Sequence, residues 1–123
     1  MATDVELDSD LIRTIILKLC SFRNPEEKYL CSLDNVEKEQ YCFNAGKLID
    51  EGFAYGNKVK DYQIINPPHP LAVKLDFLLP LGEHLAALIA DDLAWEEIKG
   101  HLAVSGKPLS IKLIWETAMT ICG

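Results

Sequence analysis

The stretch A-V-K-L-D-F-L-L-P-L-G-E-H-L-A-A-L-I-A, residues 72 to 90, changes its hydrophobic period halfway along, and that change decides the fold. Before Pro80, the apolar Val73, Leu75 and Phe77 alternate with Lys74 and Asp76, the period of two that marks a half-buried strand. After it, Leu81, Leu85, Leu88 and Ile89 recur at helical spacing. Proline has no amide hydrogen to lose and its fixed φ suits a first helical turn, so Pro80 predicts a helix over 80–90 directly behind the strand.

A lone strand needs a neighbour, and F-A-Y-G-N-K-V at 53–59 supplies one. The connection carries P-P-H-P at 67–70, where the proline rings hold the chain extended, so the two strands are read as antiparallel with a long loop. Upstream, a helix is predicted over 36–51, capped by Asp34 or Asn35, with Val36, Phe43, Leu48 and Ile49 buried. Gly52 suits the left-handed residue that ends it. Gly46 costs about 1 kcal/mol against alanine inside a helix and is read as tolerated.

The first helix follows Asp8-Ser9-Asp10, with Leu11, Ile15 and Leu19 as its stripe, widened by Ile12, Ile16 and Cys20. Arg13, Thr14 and Lys18 are placed in solvent, and Asn24-Pro25 ends the helix. Y-L-C-S-L at 29–33 is read as a short strand. Beyond Ile89, Asp91 and Asp92 cap a fourth helix whose first turn carries Glu96 and Glu97 and whose inner stripe is Trp95, Ile98 and Leu102. After the Gly106-Lys107-Pro108 break, Ser110 caps a last helix with Ile111, Ile114, Trp115 and Ala118 inward. The predicted class is α+β and helix-rich: a winged-helix-like domain over 1–123, with a helical core and two-stranded wing at 8–79 and a C-terminal helical extension at 80–123.

Composition narrows the function. The chain has 123 residues, 49% hydrophobic and 25% charged, which is the balance of a folding domain and not of a disordered segment. No apolar run approaches the roughly 18–20 residues that span a bilayer, and the start, Met1–Asp8, is acidic where a signal peptide is basic; a cytoplasmic protein is the expectation. Nineteen acidic against twelve basic residues give a net charge of -7, which repels nucleic acid unless the cations share one face.

Templates for chemistry are absent. The four cysteines, Cys20, Cys31, Cys42 and Cys122, form no C-x-x-C pair and are read as reduced, small, buried apolar residues. The histidines are His69, His84 and His101; His84 precedes Asp91 and Asp92 by seven and eight residues, but the i, i+4 pairing that metal-binding helices favour is missing. There is no G-x-S-x-G elbow and no phosphate-binding glycine loop. The expectation is no catalytic residue, no metal and no cofactor.

Two stretches resemble a family of small phage and prophage proteins grouped as a domain of unknown function. Phe43-Asn44, Leu48-Ile49-Asp50-Glu51 and Gly52-Phe53 match its helix-end pattern, and Gly82, Asp91-Asp92 and Trp95 keep the spacing of a later one. The resemblance spans roughly residues 8 to 115 and departs where Asn44 and Glu83 stand at the family's histidine positions. It implies a winged-helix-like fold and a mobile-element origin, and brings no activity.

Two functions follow as expectations. The favoured one is a non-catalytic interaction protein that meets a host or phage protein through an acidic surface of Glu83, Asp91, Asp92, Glu96 and Glu97, as a regulator or inhibitor of a nucleic-acid-binding or defence system. The alternative is a DNA-binding regulator using Lys38, Gln40, Asn44 and Lys47 of the second helix with Lys58 and Lys60 of the wing, beside Tyr55 and Tyr62. Homodimerisation through the apolar last helix, Ile111 to Ile121, is a further expectation.

Overall fold

The computed structural model of the chain describes residues 5–21, 29–60 and 69–123. Asn24-Pro25, Tyr62 and the loop residues Pro67 and Pro68 lie outside them. The elements run α1 (Ser9–Cys20), α2 (Lys38–Asp50), β1 (Ala54–Val59), β2 (Ala72–Leu78), α3 (Pro80–Ile89), α4 (Asp92–Val104) and α5 (Ile111–Cys122). The result is an α+β fold with five helices and one two-stranded antiparallel sheet among the described residues. No described helix is long and apolar enough to cross a membrane.

Among the described residues two helices precede the sheet and three follow it. The later helices are no appendage: α3 packs on α1, and Leu85, Ile89, Trp95, Ile98, Ile111 and Ile114 share one buried cluster with Leu11, Ile12, Ile15 and Ile16. Each such aliphatic contributes about 1.5–3 kcal/mol on burial, so this shared core is what holds the C-terminal half against the first helix. Gly82 lets α3 approach the sheet, because a Cβ there would fall 2.0 Å from the Phe53 carbonyl oxygen.

Helix ends follow local chemistry. Asp8 accepts from the Asp10 and Leu11 amides and caps α1; Ser110 accepts from the Leu113 amide and caps α5. Glu51 adds a second cap to α5, its carboxylate taking the Ile111 and Lys112 amides at 3.2 and 2.9 Å. At the end of α2, Gly52 has φ +83°, the Phe53 amide donates to the Leu48 carbonyl, and the Gly52 amide donates to the Ile49 carbonyl, so the helix stops in a left-handed turn.

Several sequence expectations are corrected. Helix α2 starts at Lys38, later than predicted, because Asn35 takes φ +63° and neither Asp34 nor Asn35 caps it; Glu37 precedes it without a side-chain bond. Its buried face is Tyr41, Cys42, Asn44, Ala45, Gly46 and Leu48, with Phe43 and Ile49 only half-buried. A Cβ on Gly46 would meet side-chain atoms of Pro70 and Lys58 no nearer than 3.4 Å, so no close backbone approach demands glycine there. The strand at 29–33 shrinks to one bridge, Leu30 to Leu75, held by bonds of 2.8 and 2.9 Å.

Phe77 points outward where alternation predicted inward. Tyr55 pairs with Phe77 but Gly56 with Leu75, so Asp76 is an extra residue in β2 and the phase of side chains flips across it. Cys20 and Leu81 are exposed, and Cys31 and Cys122 likewise; among the cysteines only Cys42 is buried. Arg13, expected in solvent, is half-buried and reaches across to α3.

Candidate functional site

The five acidic candidates divide by what they touch. Asp91 caps α4, accepting from the Ala94 amide at 2.8 Å. Asp92 takes the Arg13 guanidinium at 2.7 Å, while the same guanidinium donates to the carbonyls of Ile89 and Ala90 at the end of α3. Glu96 lies 3.3 Å from Lys99, whose other partner is Asp10. Glu83 and Glu97 are exposed and enter no ion pair among the described residues. Glu96 and Glu97 occupy the second turn of α4, one turn later than expected, since the helix begins at Asp92.

One side of α4 is therefore spent on α1. Trp95 is buried, and its indole N–H donates to Asp10 Oδ1 at 2.9 Å. That bond, reinforced by Lys99, holds the Asp10 carboxyl below its ordinary pKa, and hydrogen bonds from the Lys99 ammonium to Asp10 and Glu96 raise Lys99. The opposite side is open. Leu93 and Val104 are 83% and 84% exposed, and they lie on one stripe with Glu97 and Gly100 at spacings of four, three and four. Nothing lies within 4 Å of where a Cβ on Gly100 would sit, so this stripe has a shallow floor between two aliphatic ends.

Sequence reasoning missed Leu93 and Val104, though a signal for them was present. Both fall off the inner stripe of Trp95, Ile98 and Leu102, so they are apolar residues on the side of the helix that the core does not use. Next to the stripe's end, an open groove of about 530 Å³ runs between α4 and α5, lined by His101, Ser105, Lys107, Glu116, Thr117 and Thr120 among others.

The DNA-contact candidates are not brought together. Asn44 is fully buried: its amide donates to the carbonyls of Glu6 and Gln40, and its oxygen accepts from the Asp8 amide at 2.8 Å. A side chain so occupied ties the entry of α1 to α2 and has nothing left for a base. Gln40 exchanges bonds with the Glu6 backbone, Lys47 lies 5.3 Å from the Phe43 ring centroid, and Lys58 pairs with Asp50. Lys38 and Lys60 remain exposed, without a described ion-pair partner.

Groups that carry chemistry are scattered or muted. His84 packs edge-on against Trp115 at 4.7 Å, His69 Nδ1 lies 2.8 Å from the Pro70 carbonyl oxygen, and His101 stands at the α4–α5 groove. Burial pushes the Cys42 thiol up, which keeps it protonated and a poor nucleophile, and burial holds the Tyr41 phenol well above its usual range. Tyr41 instead serves the fold, donating its hydroxyl to the Leu30 carbonyl at 2.8 Å. Among the described residues no three His, Cys, Asp or Glu side chains are grouped to hold a metal ion. Compared with known proteins, the chain matches no family model, no curated protein and no solved structure.

Proposed function

We propose that the chain is a non-catalytic interaction protein of phage or prophage type, built on a winged-helix-like plan, that docks the outward face of α4 onto a basic surface of a host or phage protein. The observation that carries this reading is the exposure of Leu93 and Val104 on one stripe with Glu97. Two aliphatic side chains left in water each forgo about 1.5–3 kcal/mol of burial, a loss that a partner surface removes. Gly100 between them allows close approach, and Glu97, Glu96 and the net charge of -7 steer the encounter towards cations. A groove that ordinarily receives nucleic acid fits that description, so the expected role is regulation or inhibition of a nucleic-acid-binding or defence protein.

The order of helix, bridge, helix and paired strands supports the winged-helix reading. Use of that fold on DNA would need a continuous cationic face, whereas the three cationic candidates of α2 and β1 are committed or separated: Lys58 to Asp50, Lys47 to Phe43, and Lys38 at the far end of α2.

The test is recovery of the tagged full chain from a bacterial lysate, with and without nuclease. A stoichiometric protein that survives nuclease and is lost from the Leu93→Glu and Glu97→Lys variants supports docking through α4. Nucleic acid as the only companion, released by Lys38→Glu with Lys60→Glu, overturns it in favour of a DNA-binding regulator.

A further inference from the structure

The outer face of the sheet is the second unexplained surface, and its residues differ in kind from those of α4. Burial of Ala54, Val73, Leu75 and Leu78 defines the inner face, against α1 and α2. The outer face then consists of three cross-strand pairs, Tyr55 with Phe77, Asn57 with Lys74, and Val59 with Ala72. Tyr29 joins them from the bridging segment, with Lys74 Nζ 5.0 Å from its ring centroid. The solvated face of an antiparallel sheet is ordinarily polar. Here Tyr55, Phe77 and Val59 are 52%, 53% and 54% exposed, and the bulge at Asp76 is what turns Phe77 outward.

We propose that this face is where a second copy of the chain docks, two sheets meeting face to face about a two-fold axis. Charge selects the occupant. Among the described residues the ions on the face are Lys74 and Asp76, 3.5 Å apart, so a chain of net charge -7 has here a patch of balanced charge. Lys58 turns to the other side, towards Asp50. Among the described residues a nucleic acid finds no cluster of cations on this face, and a basic protein finds no unpaired carboxylate. A second copy finds its complement: a two-fold axis brings Lys74 of one chain towards Asp76 of the other in both directions, and it does so where repulsion between two acidic chains is least. The rings also favour an apolar partner over bases. Tyr55 and Phe77 already stack on each other at 4.9 Å and 14°, and Lys74 lies over Tyr29, so one face of each of these rings is already taken within the chain.

The inner stripe of α5, Ile111, Ile114 and Ala118, is already used by the chain's own core, so the apolar residues that suggested the last helix as a dimer surface offer a second copy less than the sheet face does.

Sedimentation equilibrium of the full chain is the test, with thermal unfolding as a check on folding. The native chain is expected to dimerise reversibly, and Phe77→Glu to weaken the dimer by at least about tenfold while the variant still unfolds cooperatively. Lys74→Glu and Asp76→Lys are each expected to weaken self-association, since each sets like charges across the axis. Mixed in equal amounts, the two variants should form a heterodimer, which no intramolecular role of the pair would produce. A native chain that stays monomeric, a dimer of unchanged strength in Phe77→Glu, or failure of the two charge variants to pair overturns the proposal. So does binding of a single-stranded oligothymidylate to a monomeric chain, abolished by Phe77→Glu, which would make the face a base-stacking platform.

Discussion

At the junction of α1 and α4, Trp95 is buried, its indole N–H is bonded to Asp10, and the Arg13 guanidinium lies 5.7 Å from its ring centroid. On the sheet, Tyr55 and Phe77 stack in water, and Lys74 lies over Tyr29. The ingredients are alike, aromatic rings beside cations and carboxylates, and their thermodynamic use differs. At the junction the polar groups exist to let a large ring be buried without an orphaned donor. On the sheet the rings are merely held in place, and most of their surface is still in water. A polar network next to a buried ring belongs to folding; a ring pair that no core element covers is available for binding.

Substitutions separate the two regions, and the largest effect belongs to the junction. Trp95→Ala empties a core position and is expected to cost about 3–5 kcal/mol of stability, read as a fall in the denaturation midpoint. A midpoint within experimental scatter of the native chain would mean that the junction is peripheral. Arg13→Ala comes next, at about 1.5–3 kcal/mol, since it strips charged hydrogen bonds from the Ile89 and Ala90 carbonyls and leaves Asp92 alone. Arg13→Lys should recover little of that loss, because an ammonium cannot span the same acceptors, and full recovery would reduce the contact to simple charge.

Acid gives a smaller effect with a definite sign. The Trp95 hydrogen bond, then Lys99, lowers the folded-state pKa of Asp10 below the unfolded value of about 3.9. The stabilisation is complete above that value and is lost as pH falls below it, through the folded-state pKa. Asp10→Asn keeps an acceptor for the indole but cannot titrate, so its stability should fall less steeply with acid than that of the native chain. Equal acid slopes in chemical denaturation would sever the link between Asp10 and the junction.

The smallest stability effect is expected on the sheet: Phe77→Ala removes a cross-strand contact and should cost under about 1 kcal/mol, although it removes a ring from the proposed dimer face. If Phe77→Ala destabilised the fold as much as Trp95→Ala, the contrast between the two surfaces would collapse.

Much of the fold was legible because its signals are local. The period change at Pro80, the caps at Asp8, Asp91 and Ser110, and the left-handed stop at Gly52 each depend on a few neighbouring residues, and each is found where it was expected. The acidic candidates of the surface were legible as residues but not as a site. Nothing in the chain order says that Asp92 meets Arg13, 79 positions away, or that Glu96 shares Lys99 with Asp10, while Glu97 is left facing water. Asn44 had the composition of a DNA contact and turned out to bridge Glu6, Asp8 and Gln40.

By itself, then, the sequence determined an α+β chain, the approximate place of the five helices and two strands among the described residues, and most of the inner stripes of α1, α3, α4 and α5 though not that of α2, because backbone propensity and hydrophobic period act over a few residues. Only the tertiary structure decided which side chains remain for a partner. One extra residue at Asp76 reversed Phe77, and the packing of α4 on α1 consumed two carboxylates while leaving Leu93, Glu97 and Val104 in water. Exposure and pairing depend on what long-range contacts cover, and those contacts form only when elements distant in the chain are brought together.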